Sequence, residues 1–247
     1  VGGGDVTRGF VQAWMRSFLV QASWNYDLMV GVGAAHASEP LLRALPPERR
    51  EAALRRSTRY FNTHPYMAGV AIGALARAEH DGESGDTIKR MRHALVGPLG
   101  SVGDKLVWAG LLPAAVGVGL VVTVVTDSPT IGVVSLLVAY NVWHLWIRGW
   151  ALRAGWNNGK QVARALTAQG IQRGLRIAGP LAALLVGLAL PMVGQWLTRD
   201  LSGRAHLGIA LVAALAVALS GWLAPRYGGL KFGLTAALFA LVAGWVW

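Results

Sequence analysis

The sequence predicts an all-α integral membrane protein, with about five transmembrane helices preceded by amphipathic helices and short re-entrant or buried segments. Three observations predict this class. Hydrophobic residues make up 54% of the chain and charged residues only 14%, where a soluble domain carries about 25% charged residues. The apolar residues gather into five runs, at 107–125, 130–147, 177–197, 207–223 and 230–247, each of 17 to 21 residues. As helices these are roughly 26 to 32 Å long, which matches a hydrocarbon core of ~30 Å. Glycine, finally, is 32 of 247 residues, well above the usual ~7%, and it lies inside apolar stretches, where it lets helix backbones approach one another.

The loops between the runs set an orientation. Residues 148–176 carry Arg148, Arg153, Lys160, Arg164, Arg173 and Arg176 with no acid, which places that loop in the cytoplasm. The 126–129 and 198–206 connections lack such an excess and suit the outer face, whereas the 225–231 turn, with Arg226 and Lys231, falls inside again. The expected organisation is therefore a cytoplasmic or interfacial region over 1–106, then a five-helix transmembrane region over 107–247, with the N-terminus inside and the C-terminus outside. The net charge of +11 is then a topology signal and calls for no nucleic-acid partner. Val1-Gly-Gly-Gly has neither an initiator Met nor the pattern of a signal peptide, so the native start is expected upstream.

Within 1–106, residues 7–29 read as one amphipathic helix, with Phe10, Trp14 and Phe18 at helical spacing. Pro46-Pro47-Glu48 opens a basic helix through Arg59, its cationic face suited to anionic headgroups, to an acidic partner or simply to water. The apolar stretch 65–78 is too short to span and reads as re-entrant or buried. Residues 97–103, GPLGSVG, read as a glycine-rich turn belonging to a second re-entrant segment over about 95–103.

Polar constellations flank these segments. Asn62-Thr63-His64-Pro65 sets an amide, a hydroxyl and an imidazole before the short apolar stretch. This mix suits recognition of a polar solute such as a sugar, and equally a helix cap made by Asn62 or Thr63. Gln21, Trp24 and Asn25 combine amides with an aromatic ring, which fits a sugar site or an interfacial aromatic belt. Asp104 and Lys105 follow the glycines, Asp104 as a ligand or a helix cap. His144 and Arg148 share a helix face at i and i+4, with snorkelling enough to explain the arginine. Walker, HExxH and GxSxG patterns are missing and there is no Cys, so no catalytic residue, cofactor or metal site is assigned.

Four blocks, QASWNYDLM at 21–29, RYFNTHPYMAGVAIGALARAEHD at 59–81, LVGPLGSVGDKLVW at 95–108 and NVWHLWIRGWALRAGWNNG at 141–159, together resemble the IID membrane component of the mannose/fructose/sorbose class of the bacterial phosphotransferase system. The resemblance implies a multi-pass subunit of a sugar permease in the bacterial cytoplasmic (inner) membrane, non-catalytic by itself. It implies a IIC membrane partner in a hetero-oligomer, a hexose substrate, and IIA and IIB proteins that relay phosphate from phosphoenolpyruvate. By resemblance, Gln21, Trp24, Asn25, Asn62, Thr63, His64, Asp104 and Lys105 are candidates for sugar contact or for the IIC interface. Lys105, Leu112 and Trp143 stand where the family usually has a small hydroxyl residue, an Arg and a Pro. Positions 105 and 112 are expected on nearly one helix face, about 10.5 Å apart along the axis, so that the positive charge is displaced rather than lost. These departures leave a non-transporting scaffold or regulator that recruits phosphotransferase proteins as the alternative.

Overall fold

The computed structural model of the chain describes residues 3–199 and Gly208, with only the backbone described for 3–8. The expected spans at 207–223, Gly208 apart, and 230–247, with the external C-terminus, lie outside the described residues. Residues Val1–Val193 form one compact unit; a second, Gly194–Trp247, is described mainly through the last turn of a helix.

Helix α1 (Gly3–Ser17) stops well short of the expected 7–29. The Ser17 hydroxyl folds back to donate to the Trp14 carbonyl at 2.6 Å, and a run of tight turns follows. There Asn25 Oδ1 accepts from the Asp27 and Leu28 amides at 3.0 and 2.8 Å. This side-chain turn competes with helix for the same backbone donors. Helix α2 (Gly31–Leu42) is rich in small residues and buried on most of its surface. Helix α3 (Pro47–Ser57) begins as expected, with Pro47 in the first turn and Glu48 beside the helix N-terminus. Part of its cationic face is turned inward: Arg56 makes a two-pronged pair with buried Glu79, at 2.9 and 2.6 Å.

The short apolar stretch becomes α4 (Ala68–His80), buried along nearly its whole length. It packs on the second half of α7 (Pro129–Asn158), where small residues bring the backbones together. A Cβ on Gly73 would stand only 2.6 Å from the Trp156 amide nitrogen, so no larger residue fits that crossing.

Ser84 caps the next helix by accepting from the Thr87 amide, and from there α5 (Gly85–Gly103), a π-helical stretch (Asp104–Leu111) and α6 (Leu112–Thr126) run on as one rod. Residues 97–103, expected as a turn, are therefore helical. The π stretch ends two residues before Pro113. Proline has no amide hydrogen and crowds the carbonyl four residues back, and wider turns accommodate both. Asp127, at φ 49°, ends the rod. Ser128 and Pro129 start α7, and α8 (Ala163–Thr167) and α9 (Gln169–Thr198) follow. Among the described residues three helical stretches are long and apolar enough to cross a membrane, Gly85–Thr126, Pro129–Gln161 and Gln169–Thr198. They contain the expected spans at 107–125, 130–147 and 177–197.

Candidate functional site

Residues 62–67 connect α3 to α4 without helical pairing, and they lie against one face of α5 and its π continuation. On that face Gly97, Gly100, Ser101, Asp104, Lys105 and Trp108 recur at helical intervals. Together with Asn62, Thr63, His64 and Pro65 they line a cavity of about 610 Å³. Five of the eight candidate residues thus meet in one place. Gln21 and Trp24 are exposed elsewhere, Trp24 edge-on to Tyr26, and the Asn25 side chain is spent on its own turn. Leu112 does not line the cavity: the π turns after Lys105 rotate it away from the shared face that regular α spacing predicts.

The capping alternatives do not hold for these residues. Helix α4 starts at Ala68 without a side-chain cap, so neither Asn62 nor Thr63 caps it, and Asp104 sits inside a continuous rod. Thr63 Oγ1 and His64 Nε2 are instead buried with no hydrogen-bond partner. Leaving such groups unpaired costs about 1–3 kcal/mol each. His64 Nδ1 accepts from the Tyr66 amide at 3.2 Å, so the neutral ring carries its proton on Nε2. Burial pushes the His64 pKa down to about 4, against the opposing pull of Asp104 and with help from Arg148. The imidazole is therefore a fixed neutral donor at physiological pH.

Beside His64 lies a polar cluster in which Tyr66 and Arg148 are buried and Tyr140 and His144 half-buried. Tyr66 meets Tyr140 hydroxyl to hydroxyl at 2.5 Å and stacks on His144 with ring centres 4.2 Å apart. The Arg148 guanidinium lies 4.6 Å from the Tyr66 ring and 5.0 Å from that of Phe18. It donates to His144 Nε2 at 2.7 Å and to the Ser17 carbonyl at the end of α1. Arg148 is thus buried, with 4% of its surface exposed, and does not snorkel to the surface. Tyr66, Trp108 and Tyr140 escaped the sequence reading. The available signal was Tyr140, His144 and Arg148 at intervals of four on one face of a candidate membrane-crossing helix, since polar groups at membrane depth need partners. Among the described residues no three His, Asp or Glu side chains converge as a metal site would require.

Residues 7–203 match the PTS system mannose/fructose/sorbose family IID component. The chain belongs to this family. Relatives of this IID component include the mannose-specific EIID component of Escherichia coli K12, 27% identical over 212 residues that cover 78% of this chain and 73% of that one. The sorbose-specific EIID component of Klebsiella pneumoniae is 27% identical over 201 residues, 78% and 72% of the two chains. The Bacillus subtilis fructose permease IID component is 25% identical over 192 residues, 75% and 68%. Among solved structures, a membrane protein superposes with a TM-score of 0.64 at 24% identity over 73% of this chain and 68% of the other. A chain of the mannose transporter ManYZ, solved by cryo-electron microscopy with microcin E492, does so with a TM-score of 0.58 at 21% identity over 100% and 97%. These similarities and the three apolar helices make the protein a membrane-embedded IID component of a mannose-class phosphotransferase transporter.

Proposed function

We propose that this IID component is the non-catalytic subunit of a multi-pass sugar permease in a bacterial inner membrane, and that it holds a hexose in the cavity between residues 62–65 and α5. The observation that carries the reading is the buried, unpartnered pair Thr63 Oγ1 and His64 Nε2 beside that cavity. A pyranose offers what the pair lacks: hydroxyl oxygens that accept from the imidazole N–H and hydroxyls that exchange bonds with threonine. Asp104, Asn62 and Lys105 hold further hydroxyls, and the Trp108 ring, 45% exposed, offers a face to the sugar's C–H side. In this reading the subunit binds and hands on its cargo. A IIC partner completes the path, and IIA and IIB deliver the phosphate. Membership of the IID family supports that reading, since a IID component is named as one component of a system.

The test is phosphoenolpyruvate-dependent uptake of labelled mannose, fructose, glucose and sorbose by the protein co-expressed with its IIC partner. Thr63→Val and His64→Phe are each expected to raise KM at least tenfold, roughly one lost hydrogen bond to a buried polar group, with IIC co-purification unchanged. Unaltered KM in both variants refutes sugar contact. Loss of IIC from both assigns the cavity to the subunit interface instead.

A further inference from the structure

A second concavity lies apart from the sugar cavity and shares no residue with it. It is a groove of about 620 Å³ between α1 and α7, walled by Phe10, Trp14, Trp146 and Trp150, floored by Gly149, and ending at Arg153 and Asn157. The floor is open because Gly149 carries no side chain. A Cβ there would meet only the Trp14 indole, at 3.6 Å, so anything longer grows into the groove. Gly149, Arg153 and Asn157 follow one another at i, i+4 and i+8 along α7. The groove therefore passes from an apolar, tryptophan-walled end to a cationic, amide-bearing one.

Its depth in a bilayer follows from helix geometry. From Ile131, at the start of the apolar part of α7, to Arg153 is about 33 Å along the axis. A hydrocarbon core is ~30 Å thick, so Arg153 stands at headgroup level and the tryptophans just below it, where indoles concentrate. On the neighbouring α1 and the turn after it, Val11, Met15 and Leu19 recur every four residues, and each is more than half exposed. That stripe is what a helix lying in the membrane interface presents to lipid.

Charge and lining together select the occupant. Arg153 has no side-chain ion pair or hydrogen bond among the described residues, and among those residues no acid lines the groove, so the polar end is complementary to an anion. The groove runs roughly 18 Å from Leu145 to Asn157, and its tryptophan-walled part offers apolar surface that suits a hydrocarbon chain. We propose that this groove binds an anionic phospholipid, with one acyl chain over Gly149 between the tryptophans and the phosphate on Arg153 and Asn157. The lipid fills the gap between α1 and α7 and holds α1 down at the interface.

The experiment uses the full chain with its IIC partner, purified and stripped of lipid, then titrated with phosphatidylglycerol, with phosphatidylcholine of the same acyl chains, and with glycerol 3-phosphate. Bound lipid is counted by native mass spectrometry and the unfolding temperature is followed in parallel. Phosphatidylglycerol is expected to be retained about fivefold more tightly than phosphatidylcholine, the effect of one interfacial arginine on an anionic headgroup. Glycerol 3-phosphate, lacking the chains, is expected to leave the unfolding temperature unchanged. Arg153→Gln, an exposed substitution, should bring the two lipids to equal affinity, and Gly149→Leu should weaken both. Equal retention by the wild type, a preference that survives Arg153→Gln, or stabilisation by glycerol 3-phosphate alone overturns the proposal. So does loss of IIC co-purification in Gly149→Leu, which would make the groove a protein contact.

Discussion

Three glycines on one helix should answer the same substitution with opposite signs. Gly97, Gly100 and Gly103 all lie in α5, and in a helix alanine is worth about 0.5–1 kcal/mol over glycine because it loses less backbone entropy. At Gly97 and Gly100 an added Cβ meets nothing within 4 Å, so Gly97→Ala and Gly100→Ala should keep that gain. At Gly103 the added carbon falls onto Cβ and Cγ of His64 and lies 2.8 Å from its Nδ1. These are the inner atoms of a ring 3% exposed and tied through Nδ1 to the Tyr66 amide, so they cannot swing aside as a flexible side-chain end would. Overpacking of this kind costs about 1–3 kcal/mol. With the inner atoms involved the upper part of that range applies, and the net change for Gly103→Ala is a loss of about 2 kcal/mol. The assay is thermal unfolding of the purified subunit, read by tryptophan fluorescence, for the three single variants and for Gly103→Ala combined with His64→Ala. The combined variant should recover most of the loss of Gly103→Ala measured on the His64→Ala background. If Gly103→Ala is as stable as Gly100→Ala, or if removing the imidazole gives no relief, the close packing of α5 on residues 62–65 is wrong. Transport gives a second reading, since Gly100→Ala narrows the cavity without loosening the fold and should raise KM while leaving the unfolding temperature unchanged or higher.

Three further perturbations test the framework of the site. Arg56→Met strands the carboxylate of Glu79, 7% exposed, and should cost about 3–5 kcal/mol in denaturant unfolding; Arg56→Met with Glu79→Met should recover most of it, and a small single-variant loss would refute the pairing. The depressed pKa of His64 carries a sign: the unfolded chain takes up its proton near pH 6.5 and the folded one only at about 4. Its contribution is therefore complete above pH 6.5, is lost as the pH falls from 6.5 to about 4, and amounts to at most about 3 kcal/mol. His64→Asn should flatten that part of the stability profile, and an unchanged slope would count against a buried neutral imidazole. Arg148→Lys keeps the charge but has no planar fork to reach both His144 and the Ser17 carbonyl, so a loss of about 1–3 kcal/mol is expected, and wild-type stability in that variant would contradict the arrangement.

The legible parts of the chain were those where one helix and its surroundings decide the answer. Residues 65–78 have no polar face, and a run too short to span must then be covered by protein, as α4 is. The basic helix announced itself through Pro46, Pro47 and Glu48, which act within a single turn. The 7–29 segment failed for an equally local reason, because Ser17 and Asn25 bind backbone groups that a helix would need. The arginine at 148 was visible as a charge, but spacing along one helix does not say whether the opposite face meets water or, as here, Phe18 and Tyr66.

Residues 97–103 show why local propensity was the wrong scale. In water, three glycines and Pro98 argue for a turn at about 1 kcal/mol per glycine. In lipid each unpaired backbone N–H or C=O costs several kcal/mol, so a stretch entering the bilayer is driven into helix even with a poor composition. The glycines that made the segment look like a turn then act through their size, and leave one side of an obligatory helix bare. Residues 63–65 escape the same compulsion because they are buried in protein, and they can bring Thr63 and His64 to that bare side with polar atoms unspent. The cavity is the product of these two opposed requirements, and neither segment forms it alone.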